Sequence, residues 1–346
     1  MTLVVTTAVV IATALYGGLL RIGVPLPHGP PLGELHGPLM IAGVFGTLVS
    51  LERAVALGWR WPYLAPCASA LGAVALLAGL PVEIGATLFV ISAVLLSVAS
   101  LRILVLQPAL FTVALVAGAG AEAIGNVVWL VGGAPADAAA WWLAFLVCTI
   151  AAERLELSRV LQHGRHIGRA LAATIILMML AASLGILSPL GRPLLGISFL
   201  AITAWLLRFD VATRTIRQTG RTRFFASAML AGYFWLGISG LLLVLAPEAT
   251  FAYDMTMHSV LIGFVLSMVF GHALIILPAV TGLKLMYHPA LYLPLALLHG
   301  SVALRILGGL LEDQAARMGS GILTVASLLS FGVVLTLVSR PSGARS

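Results

Sequence analysis

The side chains of this sequence best suited to chemistry are histidines in apolar surroundings. His258 and His272 stand in one apolar segment, His258-Ser-Val-Leu-Ile-Gly-Phe-Val-Leu-Ser-Met-Val-Phe-Gly-His272. On an α-helix their separation is about 21 Å of rise and close to four turns, so both imidazoles would point to nearly the same face. His36 opens a second apolar segment and His299 lies within a third. Neutral imidazole ligates transition metals and haem iron. Polar side chains inside a membrane are costly and mark function. The remaining histidines, His28, His163, His166 and His288, fall in loops or at interfaces and are read as contacts to water or head groups.

The elements that must position these groups are membrane spans. Of 346 residues 61% are hydrophobic and only 9% charged, too little charge to cover a soluble protein of this size. Apolar runs of about twenty residues succeed one another, each long enough to cross the hydrocarbon as a helix. They place twelve spans near 3–21, 37–57, 63–81, 84–106, 109–132, 139–157, 168–188, 192–209, 224–246, 256–281, 289–311 and 318–339. No cationic segment precedes the first run and no small-residue cleavage site comes after it, so it reads as a retained span. The short alternating segments of a β-barrel do not occur. The expectation is an all-α, polytopic membrane helix bundle, a single domain over 1–346, with no persuasive internal repeat.

Charge orients the spans. With a cytoplasmic amino terminus, 15 of the 19 Lys and Arg residues fall on the cytoplasmic side. Arg21, Arg192, Arg305 and Arg317 are the exceptions, while Glu34, Glu83, Asp137, Glu248, Asp254, Glu312 and Asp313 lie outside. Both termini are then cytoplasmic. The net charge of +7 is a topology signal and a contact to anionic lipid, not a nucleic-acid footprint.

This orientation sorts the four histidines of the apolar segments by depth. His36 and His258 share the outer level, and His272 and His299 share a deeper one, as two pairs stacked across the bilayer. Paired imidazoles from facing helices are what axial ligation of haem iron requires. Gly37, Gly43 and Gly46, with Gly263, Gly271 and Gly300, could let a flat macrocycle approach the backbone, although small residues serve close helix packing equally well. The fourteen-residue spacing is similar to that of b-type cytochromes, where each of two such helices holds one haem toward each membrane face. Here one span carries both histidines, so their partners would come from different helices.

About twelve spans, the stretch His36-Gly-Pro-Leu-Met-Ile-Ala-Gly-Val-Phe-Gly-Thr47 and the paired histidines of the tenth span resemble the NnrS family of membrane haem–copper proteins associated with relief of nitric oxide stress. They also echo the catalytic subunit of haem–copper oxidases, with His36 and His258 at the matching positions. The resemblance implies one or two haem b groups, copper as a further metal, a small-molecule or gas ligand and an electron donor. It implies an oxidoreductase of the inner (cytoplasmic) membrane acting on nitric oxide or a related molecule. Arg305 and Tyr253 are placed to hold haem propionates at the outer site.

Glu122 lies near the middle of the fifth span with Asn126 one turn on; a carboxyl there is neutral, paired or part of a proton path. An alternative function is therefore a multi-pass transporter that uses the midplane histidines and Glu122 as a substrate or proton path. Glu52–Arg53 and Glu153–Arg154 are adjacent in sequence, so each is expected to pair across to another helix. Cys67 and Cys148 are expected to be buried small hydrophobes. The topology predicts that reporter fusions after Gly220 and after the last residue report the cytoplasm and that one within 133–137 reports the opposite side. A non-cytoplasmic signal at Gly220 contradicts the span count.

Overall fold

Runs of this length and apolarity can satisfy their backbone groups only as helices, and they do so. The computed structural model describes residues 2–27, 32–158, 165–246, 248–282 and 284–340. Among them, eleven helices are long and apolar enough to cross a membrane. With one shorter helix they are α1 (Leu3–Arg21), α2 (Leu32–Leu57), α3 (the shorter one, Trp61–Leu77), α4 (Val82–Leu106), α5 (Leu110–Leu130), α6 (Pro135–Leu157), α7 (His166–Leu184), α8 (Gly191–Phe209), α9 (Gly220–Leu245), α10 (Ala252–Pro278), α11 (Pro289–Leu310) and α12 (Gln314–Leu337). Each expected span is met by a helix, and the protein is an all-α, multi-pass membrane protein. The β-structure among the described residues is a two-residue antiparallel pair, Lys284–Leu285 with Ser339–Arg340. His28, His163, Arg159 and Arg345 lie outside the described residues.

The chain divides into two compact units: Met1–Glu156 with Gly164–Leu195, and Leu157–His163 with Gly196–Ser346. The division falls within α8. Composition carries no mark of it, because every span on either side must be equally apolar.

In the first unit, α1 packs on α2 and α3 packs on α4. Gly72 and Gly85 let α3 and α4 close together: a Cβ on Gly72 would sit 2.9 Å from the Gly85 carbonyl oxygen and from the Phe89 ring. Ser92 of α4 donates to the Ala65 carbonyl of α3 at 2.8 Å. Asn126 joins three helices, donating to the Phe89 carbonyl of α4 at 3.0 Å and accepting from Trp142 Nε1 of α6 at 2.9 Å. In the second unit, Gly196 of α8 and Gly240 of α9 pack so that a Cβ on either would lie 2.8 Å from the other's carbonyl oxygen. Ser327 of α12 donates to the Pro294 carbonyl of α11 at 2.8 Å.

The two units share an internal order that the sequence does not display. In α2, the α-helix Leu32–Pro38 gives way to a π-helical stretch, Leu39–Phe45, and resumes over Gly46–Leu57. In α10, Ala252–His258 gives way to the π-helical Ser259–Leu266 and resumes over Ser267–Thr281. Each helix ends at a glycine in the left-handed region, Gly58 (φ 67°) and Gly282 (φ 74°), a conformation that glycine adopts without strain. A single 3₁₀ turn with a proline comes next in each case, Trp61–Tyr63 and Pro289–Leu291, and then two helices tied by the equivalent serine bonds, Ser92 to Ala65 and Ser327 to Pro294. Thus α1–α4 and α9–α12 repeat one arrangement, against the expectation of no repeat. Gly72→Leu should overpack α3 against α4 and lower stability by about 1–3 kcal/mol, read as a lower unfolding temperature in detergent. Gly120→Leu, whose Cβ meets nothing within 4 Å, should leave it unchanged.

Candidate cofactor site

Whether a histidine can ligate depends on which ring nitrogen holds the proton. A backbone carbonyl only accepts, so an imidazole nitrogen bonded to one must carry the proton, and the other nitrogen keeps the lone pair. His258 Nδ1 lies 2.7 Å from the Asp254 carbonyl, one turn earlier on α10. His272 Nδ1 lies 2.7 Å from the Met268 carbonyl. His36 Nδ1 lies 2.7 Å from the Ala14 carbonyl of α1, and Gly18 leaves room for its ring. In all three, Nε2 is the nitrogen with ligand character. Metal-bound histidines are oriented in this way, with the second nitrogen donating to a carbonyl or carboxylate. The His272 ring also meets Phe225 edge-on, with centroids 4.7 Å apart.

His299 is held in the opposite tautomer. Trp235 Nε1, which only donates, gives its hydrogen to His299 Nδ1 at 2.9 Å. The proton of the neutral ring therefore sits on Nε2, which faces Ser267 Oγ at 3.4 Å. Ser267 in turn donates to the Ala228 carbonyl at 2.7 Å. The relay Trp235–His299–Ser267–Ala228 is satisfied at each step and ties α11 to α9 and α10. In the first unit Ser69 of α3 bonds at 2.8 Å to Thr47, just beyond the π stretch of α2. In this arrangement His299 links α11 to α9 and α10, and the proton of its neutral ring lies on Nε2, unlike those of His36, His258 and His272.

Between His258 and His272 the helix is π-wound over Ser259–Leu266, so the α-helical period that would set both rings on one face does not run through the whole interval. Such π-helical segments occur frequently at functional sites. His36 stands in the first unit and His258 in the second, and each has its own surroundings.

Beside His258 stands a carboxylate that the sequence did not single out. Asp254 receives both Nε and Nη2 of Arg305, at 3.0 and 2.7 Å, and lies 3.2 Å from His258 Nδ1. Arg317 of α12 adds a longer contact at 3.7 Å, with its guanidinium 3.6 Å above the Phe251 ring. Arg305 is 5% exposed. Two of the four cations that the charge count left on the outer side therefore face one acid, whose single charge offsets one of theirs. The expectation that Arg305 holds a propionate meets the fact that two of its nitrogens are taken by Asp254. The i,i+4 spacing Asp254–His258 was the available signal.

Other groups fall into place around these. Arg53 Nη2 pairs with Glu153 of α6, as cross-helix pairing predicts, and also reaches its neighbour Glu52 at 3.1 Å. Arg154 is fully buried. Cys148 is buried as expected, whereas Cys67 is exposed on the outside of its helix. His166 and His288 are exposed, in keeping with loop positions. Glu122 is buried on α5, beside Gly46 of α2. No group of three or more His, Cys, Asp or Glu side chains converges among the described residues. An apolar groove of about 450 Å³ along α5, α6 and α7, lined by Val113, Trp141, Ile175 and Met179, contains none of the histidines.

These helices and buried groups define a multi-pass α-helical membrane protein whose interior carries oriented imidazoles. The chain belongs to the family described as Domain of unknown function (DUF8744), which matches residues 1–340. No curated protein matches it.

The Asp254 cluster makes a stability prediction. Arg305→Leu removes a buried partner and should cost about 3–5 kcal/mol, seen as a lower unfolding temperature in detergent. Arg305→Lys should recover only part, because an ammonium cannot make the two-point contact.

Proposed function

We propose that the protein is a haem-binding protein of the cytoplasmic membrane with a redox or nitric-oxide-related role. The observation that carries this reading is the common orientation of His36, His258 and His272, each with Nδ1 at a main-chain carbonyl, which puts the lone pair of the neutral ring on Nε2. The resemblance of the His36 segment and of the tenth span to the NnrS family supports it independently. Haem b, when bound, supplies one-electron and gas-binding chemistry.

The chain's own part is to hold Nε2 of these rings in place. At His258, the Asp254 carboxylate beside Nδ1 strengthens the ring as a donor, and Arg305 keeps that carboxylate ionised and aimed. Copper suits the same nitrogens and is the second metal of this reading. A transporter is the alternative, favoured by the repeated four-helix arrangement, since internal repeats are common among transporters.

Absorption spectroscopy separates the two. Protein purified from haem-replete cells should show a Soret band, and His258→Ala should reduce the bound haem without loss of helical circular dichroism. Colourless wild-type protein under those conditions, or bound haem unchanged in each of the His36→Ala, His258→Ala and His272→Ala variants, would contradict haem ligation and leave the transporter as the better account.

A further inference from the structure

Hydrocarbon gives a carboxyl group nothing to bond with, so a buried acid needs a donor, a cation or its own proton. Glu122 lies at the middle of α5 and is 1% exposed. The absence of a side chain at Gly46 makes room for it: Glu122 Oε1 lies 2.6 Å, and Ser69 Oγ 3.5 Å, from the point a Cβ on Gly46 would occupy. The neighbouring donors are committed elsewhere. Ser69 donates to the Ala42 carbonyl at 2.7 Å, Thr47 to the Gly43 carbonyl at 2.6 Å, and the Asn126 amide to Phe89. Oε2 of Glu122 has no hydrogen-bond partner among the described residues.

Charged groups on the packed helices stand away from this point. On α2, Glu52 and Arg53 lie six and seven residues beyond Gly46, and Arg53 is bound to Glu153 of α6. On α4, Glu83 and Arg102 lie six and thirteen residues from Phe89, the residue bonded to Asn126. Asp137 of α6 lies five residues before Trp142, which meets Asn126. His166 and Arg169 of α7 flank Gly168, which meets the Leu110 end of α5. The nearest titratable side chain across α6 is Cys148, beside Gly118 one turn before Glu122.

We infer that Glu122 is a proton-binding site: an un-ionised carboxyl in the cradle beside Gly46, which exchanges its proton along the polar face of α2. Ser50 and Arg53 stand four and seven residues beyond Gly46, on its own face of the helix. Ser50 bonds to the Gly46 carbonyl at 2.5 Å, and the row ends at Arg53 with Glu52 and Glu153, which are partly exposed. The chemistry is a proton transfer alone: the O–H bond of the acid breaks, the carboxylate keeps the electron pair, and the proton passes to the hydroxyl and carboxylate groups of the row or to water among them. This inference does not depend on haem binding.

Infrared spectroscopy of the full-length wild-type protein in detergent tests it directly. The spectrum should contain a carbonyl stretch of an un-ionised carboxylic acid that Glu122→Gln removes and Glu122→Asp shifts, and this stretch should fade reversibly as pH is raised. Glu153→Gln should slow its deuterium exchange. The inference is overturned if the wild-type protein has no un-ionised carboxyl stretch at any pH at which it stays folded. It is equally overturned if the stretch survives in Glu122→Gln or does not respond to pH. Because the wild-type titration is itself decisive, a variant that fails to fold does not shield the inference.

Discussion

Inside a bilayer no water completes a missing hydrogen bond, so each polar atom on these helices must find its partner within the protein. That constraint shapes the described structure more than any single contact. It explains why the serines of α4 and α12 donate to carbonyls on the helix beside them, and why Asn126 uses its carbonyl on Trp142 and its amide on Phe89. It also explains why one acid, Asp254, gathers Arg305, Arg317 and His258. Where small residues remove side chains, as at Gly72 and Gly85, backbones approach closely enough to be held by packing instead.

The same demand sets the chemistry of the histidines. An imidazole has one donor and one acceptor when neutral, and the helix that carries it decides which nitrogen is which. Carbonyls one turn earlier in α10 claim the protons of His258 and His272, and a carbonyl of α1 claims that of His36. For His299 an indole N–H claims the lone pair of Nδ1 instead. Four residues of one type in apolar helices are thereby divided into three rings with ligand character at Nε2 and one ring spent on packing.

Much of this was legible in the sequence and some was not. The spans were, because length and apolarity are what the bilayer selects; eleven of the twelve expected are helices long enough to cross, and the other, Trp61–Leu77, is shorter. The partner of Arg53 on another helix could be anticipated from helix geometry. The π-helical stretches were not legible: Leu39–Phe45 and Ser259–Leu266 are ordinary apolar segments, and π hydrogen bonding there depends on neighbours and not on local propensity. The repeat escaped notice for a related reason, since it is carried by a left-handed glycine, a proline turn and a serine–carbonyl bond among residues free to vary on their lipid face. Asp254 was counted only as an acid on the outer side, although its position four residues before His258 marked it as that residue's neighbour. The role of His299 could not be read without Trp235, which lies two helices away.

The claim on which the functional account turns is that His272 has ligand character at Nε2 and His299 does not. Electron paramagnetic resonance of the oxidised, haem-loaded protein tests it by comparing His272→Ala with His299→Ala. The account predicts that the ferric haem signal is altered by His272→Ala and survives His299→Ala. A signal lost in His299→Ala and intact in His272→Ala would contradict it.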